Sequence, residues 1–364
     1  MSAMDSTHTA PIRMSCQPFF NPLVDALLIS GLLSLPLVAW SLLGPPYEIS
    51  PLTLMMIFII FNWAHFASST VRFYTKTGEV SRHRFLAFGL PLLMLAAVLA
   101  GIAAPDWFGK NLTALFLTWS PYHYAAQAFG ISMIYVYRSG IAPSVMEKRW
   151  IWWTCMLPFL TALIDLRDRS ISTAMGVGGI RWILPEHVIL ASADWIHGAR
   201  MVLIPFIFVL PLWLMLRGRL PWLAGTLIMT NGLWLVALPY YSASIWITVA
   251  HSIQYLCLVT YVHAKDNRAQ AEASKSPSYY ITTFYILSAL VGFLLFMGLP
   301  QVIGWTGALS GGEMNMAQTA WMVVVAINLH HFIVDGYIWR SKKPAPRAKP
   351  VVETPAEAHL SQMV

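Results

Sequence analysis

Charge is what this chain has least of. Only 11% of its 364 residues are Asp, Glu, Lys or Arg, where an ordinary soluble domain carries about 25%. Apolar residues make up 57%, so the composition reads as an all-α, polytopic membrane helix bundle. Cysteine is nearly absent too. Cys16, Cys155 and Cys257 are too scattered for a disulfide framework or a C-x-x-C pair. No apolar run precedes Cys16, which excludes a lipoprotein signal, and no Gly-rich nucleotide loop, zinc ribbon or nucleophile elbow occurs. The net charge of +7 does not imply nucleic acid. The basic residues sit in short segments between apolar runs, where they act as topology signals.

Those apolar runs cover residues 23–43, 51–70, 85–104, 111–137, 150–164, 195–216, 221–238, 242–263, 279–300 and 314–339. A helix needs about 20 residues to cross the hydrocarbon, so the expected architecture has about ten transmembrane helices. Residues 165–194 mix charges with apolar stretches and leave the fifth run and the approach to the sixth least defined. The first run is expected to be a retained anchor. Residues 1–22 form a polar cytoplasmic leader, 23–340 a single transmembrane domain, and 341–364, rich in Pro, Ala, Lys and Glu, a disordered cytoplasmic tail. With both termini cytoplasmic, 18 of the 23 Lys and Arg residues fall on the cytoplasmic side. The expected location is a prokaryotic inner membrane.

The polar residues inside the runs carry the chemistry. His65, His123, His251 and the His330–His331 pair lie in the second, fourth, eighth and tenth runs. Ionisable groups inside a span are costly to keep there, and a bound cation would offset that cost. Ser69, Gln127 and Asp335 follow His65, His123 and His331 at i+4, and Gln254 follows His251 at i+3, so each polar pair shares a helix face. The pattern N-x-x-H-F recurs at Asn62–Phe66 and Asn328–Phe332, which pairs His65 with His331. His123 and His251 lie fifteen and fourteen residues before Arg138 and Lys265, about 21–22 Å from a shared boundary. His65 and His331 are nearer that boundary, so the polar side chains form a band in the cytoplasmic half.

Imidazole suits Zn, Cu, Fe and Ni, and added carboxylate tilts a site towards iron, manganese or zinc. The expected ligands are His65, His123, His251 and His331, with His330 and Asp335 as further ligands or as proton-handling catalytic residues. Asn62, Gln127, Gln254 and Asn328 are expected to orient the imidazoles by hydrogen bonds. One or two iron ions fit this donor set. The plainer alternative is that these groups only hydrogen-bond one another between helices. Haem held by His123 and His251 competes as well, but leaves His65, His330, His331 and Asp335 without a role. Pro121, two residues before His123, reads as a kink. Asp194 and His197, with His187 nearby, read as an interfacial pair with Arg200 in preference to a second site. His8, His83, His263 and His359 lie at ends, loops or tails and are expected to be solvated.

The clustered H-x-x-x-H and H-x-x-H-H boxes of membrane desaturases are absent. Single histidines on separate spans resemble instead the layout of bacterial membrane carotenoid-cleaving dioxygenases, which implies iron held by histidines from several helices. Ser68, Ser69 and Asp335 also permit likeness to intramembrane zinc hydrolases of the ceramidase type. The expected function is that of a non-haem iron oxidoreductase acting with O2 on a hydrophobic small molecule in the lipid bilayer, with an electron-donor protein on the cytoplasmic side. A proton-coupled transporter, a haem electron carrier and a zinc hydrolase are the alternatives.

Overall fold

The computed structural model describes residues 16–45, 48–164, 201–238, 240–270, 275–309 and 316–339, together with residues 191, 195, 198 and 199. Among them there is no strand, and each of the ten apolar runs carries helix. The helices are α1 (Pro22–Leu43), α2 (Pro51–Thr75), α3 (Phe85–Ala103), α4 (Lys110–Arg138), α5 (Val145–Ile164), α6 (Met201–Leu216), α7 (Trp222–Ala237), α8 (Tyr241–Gln270), α9 (Pro277–Trp305) and α10 (Met316–Ile338).

Six of these, α1, α2, α3, α8, α9 and α10, are long and apolar enough to cross a membrane, fewer than the ten expected. The other four fall short for identifiable reasons. The α4 helix runs for 29 residues, but its hydropathy is diluted by His123, Gln127 and other polar side chains that turn inward. The α5 helix begins with Glu147, Lys148 and Arg149, while α6 and α7 are shorter than eighteen residues.

Local sequence sets where several helices begin. Asn21-Pro22, Ser50-Pro51 and Ser276-Pro277 each place a capping side chain before a proline that needs no amide partner. The caps accept from Val24 N at 2.9 Å, Thr53 N at 3.1 Å and Tyr279 N at 3.3 Å. The first helix is broken in the middle. Gly31 adopts φ 77°, a left-handed conformation that glycine reaches without strain. The chain there passes so close to Trp234 that an added Cβ would sit 2.5 Å from its Cζ2.

Packing divides the helices into two groups. In one, α3 and α10 join α2 and α9; in the other, α4, α5, α6 and α7 pack on one another, with α1 against α8. The seam is closed by α8 against α2 and α9, and by α10 against α4. Burial identifies the centre: 61% and 56% of the apolar windows of α8 and α10 are buried, against 28% for α3 and α9. Outer helices accordingly leave large apolar side chains such as Leu92, Leu93, Ile286 and Leu290 exposed, the pattern of a bundle whose solvent is lipid. Small-residue packing brings backbones close where Gly292 of α9 lies against the Trp63 carbonyl of α2. A π-helical turn over Phe58–Trp63 precedes His65 by one residue.

The N-terminal approach is pinned by a buried acid. Asp25 accepts from the amides of Phe19 and Phe20 at 2.7 and 3.0 Å and from the Tyr135 hydroxyl at 2.7 Å. Arg138 donates to the carbonyls of Gln17 and Pro18 and covers the Phe19 ring at 4.6 Å.

Candidate metal centre

Four helices bring four histidines to the seam: His65 on α2, His123 on α4, His251 on α8 and His331 on α10. All are buried. Their rings form a quadrilateral with centroid distances of 4.5 Å (His65–His331), 5.1 Å (His331–His123), 5.3 Å (His123–His251) and 5.1 Å (His251–His65). The His65–His123 diagonal is 6.5 Å. The two depths inferred along the helices therefore merge into one cluster.

Each ring has an aromatic neighbour that limits its rotation. Tyr124 stacks on His251 at 3.8 Å and Phe332 on His123 at 4.5 Å. Tyr255 meets His65 edge to face at 4.6 Å, and Phe66 meets His331 at 5.1 Å. On the far side of His331, Nδ1 lies 2.9 Å from Ser69 Oγ, and that hydroxyl donates to the Phe66 carbonyl at 3.3 Å. With its one proton given to a carbonyl, Ser69 accepts from His331, so Nδ1 carries the ring proton and Nε2 keeps its lone pair.

His65, His123 and His331 each offer a nitrogen, and the three atoms all lie within 4.8 Å of one another. Their Nε2 atoms, and Nδ1 of His65, are buried without a protein partner, as is Nε2 of His251. Each unpartnered buried group costs about 1–3 kcal/mol, so five ring nitrogens amount to roughly 5–15 kcal/mol, the size of a typical domain's net stability. A cation held by one nitrogen each of His65, His123 and His331 would offset this cost at three of the five. Metal–imidazole bonds of about 2.0–2.1 Å put three donors around one ion roughly 3–3.5 Å from one another, so the three nitrogens would draw together by about 1 Å to share one ion. The donor set fits a transition metal: three imidazoles, with orientation imposed by hydrogen bonding and aromatic contact.

No family model, curated protein or solved structure matches the chain.

The remaining expected residues are placed elsewhere. Asp335 turns from the imidazoles to Tyr255 and Trp339. Its Oδ1 accepts from the Tyr255 hydroxyl and, at 2.8 Å, from Trp339 Nε1. His330 faces another side of α10, in an apolar cavity of about 250 Å³ lined by Thr70, Tyr74, Met94, Val98, Leu299 and Ile327 among others. Adjacent helical residues diverge by about 100°, which separates His330 from His331.

The four amides do not each serve the histidine on their own helix. Gln127 of α4 reaches across to His251 and Gln254 of α8. Asn62 accepts from Ser252 at 3.2 Å, and Asn328 donates to the Val324 carbonyl of its own helix at 2.8 Å.

Of the histidines set aside, His83 hydrogen-bonds the Tyr337 hydroxyl at 2.8 Å, and His263 stacks on Phe284 at 4.2 Å. Both are partnered by aromatics and are not simply solvated. His8, His187, Asp194, His197, Arg200 and His359, with most of the leader and the whole tail, lie outside the described residues.

In the sequence Tyr124 and Tyr255 stand only as possible cavity-lining aromatics of little weight, Phe332 only as part of the N-x-x-H-F pattern, and Trp339 has no assigned role. Tyr255 follows His251 at i+4 and Trp339 follows Asp335 at i+4, a same-face signal hidden by an aromatic content of 13%.

Proposed function

We propose that His65, His123 and His331 hold one transition-metal ion, iron before zinc, and that the protein is a membrane-embedded oxidoreductase using O2 on a lipid-soluble substrate. The observation that carries this reading is the convergence of three buried imidazoles from three helices, each with an unpartnered ring nitrogen, whose ligand atoms lie within 4.8 Å of one another. An all-imidazole set favours Fe, Zn, Cu or Ni over Mg or Ca.

The surroundings favour redox chemistry over hydrolysis. Phe66, Phe332, Tyr124 and Tyr255 wall the rings and restrict water, whereas O2 and lipids partition into such an environment. Bound iron would supply the one-electron and O2 chemistry that no side chain carries. The protein's own groups fix the rest. Ser69, itself turned by the Phe66 carbonyl, sets the His331 tautomer, and Tyr255 bridges His65 to Asp335 as a proton-holding pair at the edge of the cluster. His330, with Thr70 and Tyr74, brings polar groups to the otherwise apolar cavity on the neighbouring face of α10, suited to orient a lipid-soluble molecule. Ten crossings with both termini cytoplasmic remains the topology we favour on the distribution of Lys and Arg, and an electron donor would then approach from that side.

Edge-to-face contact among the four rings favours a compact ion over a porphyrin, which needs a flat slot between its axial ligands. Elemental analysis and a visible spectrum of the purified protein test the proposal. The expected result is about one iron per chain, matching the single cluster, without a Soret band. A Soret band would establish haem, and stoichiometric zinc would favour the hydrolase. Folded protein without tightly bound metal would overturn the proposal and leave the proton-coupled transporter as the better account of the His/Asp band.

A further inference from the structure

We infer that His251 is not a fourth ligand of this centre but its built-in hydrogen-bond donor, locked as the Nε2–H tautomer by an amide relay anchored on the broken helix α1. The inference rests on the metal reading above and assigns the fourth histidine a different task from the other three.

The relay begins at a backbone carbonyl, whose polarity is fixed. Around the Gly31 break the amides of Leu32, Leu33 and Ser34 bond to Ala26, Leu27 and Gly31, so none of them takes the Ile29 carbonyl. Gln254 Nε2 donates to that carbonyl at 2.6 Å. An oxygen could not sit there, so the orientation of the Gln254 amide is settled, and its Oε1 must face the other way. Gln127 approaches this Oε1 at 2.8 Å and must therefore present its Nε2. The same Nε2 lies 3.3 Å from His251 Nδ1. An amide nitrogen only donates, so His251 Nδ1 accepts, and the ring's proton resides on Nε2.

That Nε2–H is buried and has no partner in the protein. His251 sits 5.1 and 5.3 Å from His65 and His123, ring centre to ring centre, yet it contributes no nitrogen to the three-histidine group. The tautomer gives Nε2 a task other than ligation. A neutral imidazole protonated on Nε2 cannot also give that atom's lone pair to a metal. It can donate to an acceptor atom of a small anion or an oxygen-bearing molecule lying between the rings. His331 is wired in the opposite sense through Ser69, with its proton on Nδ1 and its Nε2 lone pair free. Tyr124, stacked on His251 at 3.8 Å with its hydroxyl on Thr248 at 3.3 Å, keeps the donor ring from turning over.

Two measurements on the full chain test this. In metal-free protein labelled with 15N-histidine, with the resonance assigned by its loss in His251→Gln, His251 is expected to show a protonated Nε2 and an unprotonated Nδ1. The reverse tautomer would overturn the inference. For the second, Fe(II) and then azide are titrated into wild type, His251→Gln, His251→Leu and His331→Leu. Fe(II) affinity is expected to stay within about threefold of wild type in both His251 variants, short of the 10–100-fold that loss of even a ligand's hydrogen-bond partner brings, and to be abolished in His331→Leu. Azide should bind wild type and His251→Gln, which keeps an N–H at similar reach, about tenfold tighter than His251→Leu. Loss of Fe(II) binding in His251→Gln comparable to that in His331→Leu would make His251 a ligand and overturn the inference, as would equal azide affinities. If His251→Leu fails to fold, His251→Gln alone decides the ligand question and the tautomer decides the donor. If wild type takes up no Fe(II), the metal reading falls, and the tautomer measurement still decides the state of His251 on its own.

Discussion

Ser69 on α2 and His331 on α10 are joined side chain to side chain at 2.9 Å, 262 residues apart in sequence. The contact links the two helices that share the N-x-x-H-F pattern, and it presents His331 to the cluster through Nε2. Partners of this kind fix ring orientation and tautomer, and their loss typically weakens metal binding 10–100-fold. Ser69→Ala should therefore lower Fe(II) affinity by about 10-fold or more while leaving thermal stability within about 1.5 kcal/mol of wild type, the size of one hydrogen bond. Unchanged affinity in a titration of the detergent-purified protein would mean that His331 needs no such support.

Adjacent histidines should behave as strangers. His331→Leu is expected to eliminate metal uptake, whereas His330→Leu should retain it, because His330 faces the apolar cavity and not the other imidazoles. Any defect of His330→Leu should show in binding or turnover of the lipid-soluble molecule. Equivalent metal loss in both variants, read by elemental analysis, would sink this division of roles.

Gly292 makes α9 a backbone-contact helix. A Cβ there would lie 2.5 Å from the Trp63 carbonyl oxygen and 3.1 Å from Ala64 N, atoms that cannot step aside without moving α2. Gly292→Ala should destabilise the protein by about 1–3 kcal/mol. Because Ala64 directly precedes His65, metal affinity should fall as well. A thermal melt and a metal titration check both parts, and a neutral result in each would place the α2–α9 contact elsewhere.

Outside the bundle centre, Glu147 joins the start of α5 to Arg219 in the segment between α6 and α7. Its carboxylate accepts from Arg219, with Nη2 at 2.6 Å, and from the Ser144 amide at 2.7 Å, while Ser144 Oγ accepts from Glu147 N at 3.2 Å. This is a reciprocal capping box closed by an ion pair. The hydrogen bond from Arg219 is the largest cause, followed by that from Ser144, holding the Glu147 carboxyl down from 4.5 to about 2. A depressed carboxyl stabilises the folded state fully above its unfolded value of 4.5, and the contribution is lost as pH falls from there through about 2. Glu147→Gln should thus lower stability at neutral pH and flatten its decline between those limits. Melting temperatures of the two proteins across that range, running in parallel, would count against the pairing.

The sequence by itself determined the helical architecture and which residues could not face lipid. Apolar length and the cap–proline starts at Asn21, Ser50 and Ser276 are local signals, carried by hydrogen bonds within one turn of chain. The inward faces of α2, α4, α8 and α10 followed from helical periodicity, since His65, His123, His251 and His331 must each lie on a face that avoids hydrocarbon. Only the tertiary structure decided how those faces meet. Spacing along a helix paired Gln127 with His123 and Asp335 with His331, yet Gln127 serves His251 across the seam and Asp335 serves Tyr255 and Trp339. Periodicity specifies a direction around an axis but not which neighbour stands there. Rotation and height are set by contacts made far apart in sequence, among them Gly292 on Trp63 and Gly31 on Trp234. The state of His251 lay furthest from local reading, because it is fixed through two amides by a carbonyl that is free only where α1 breaks.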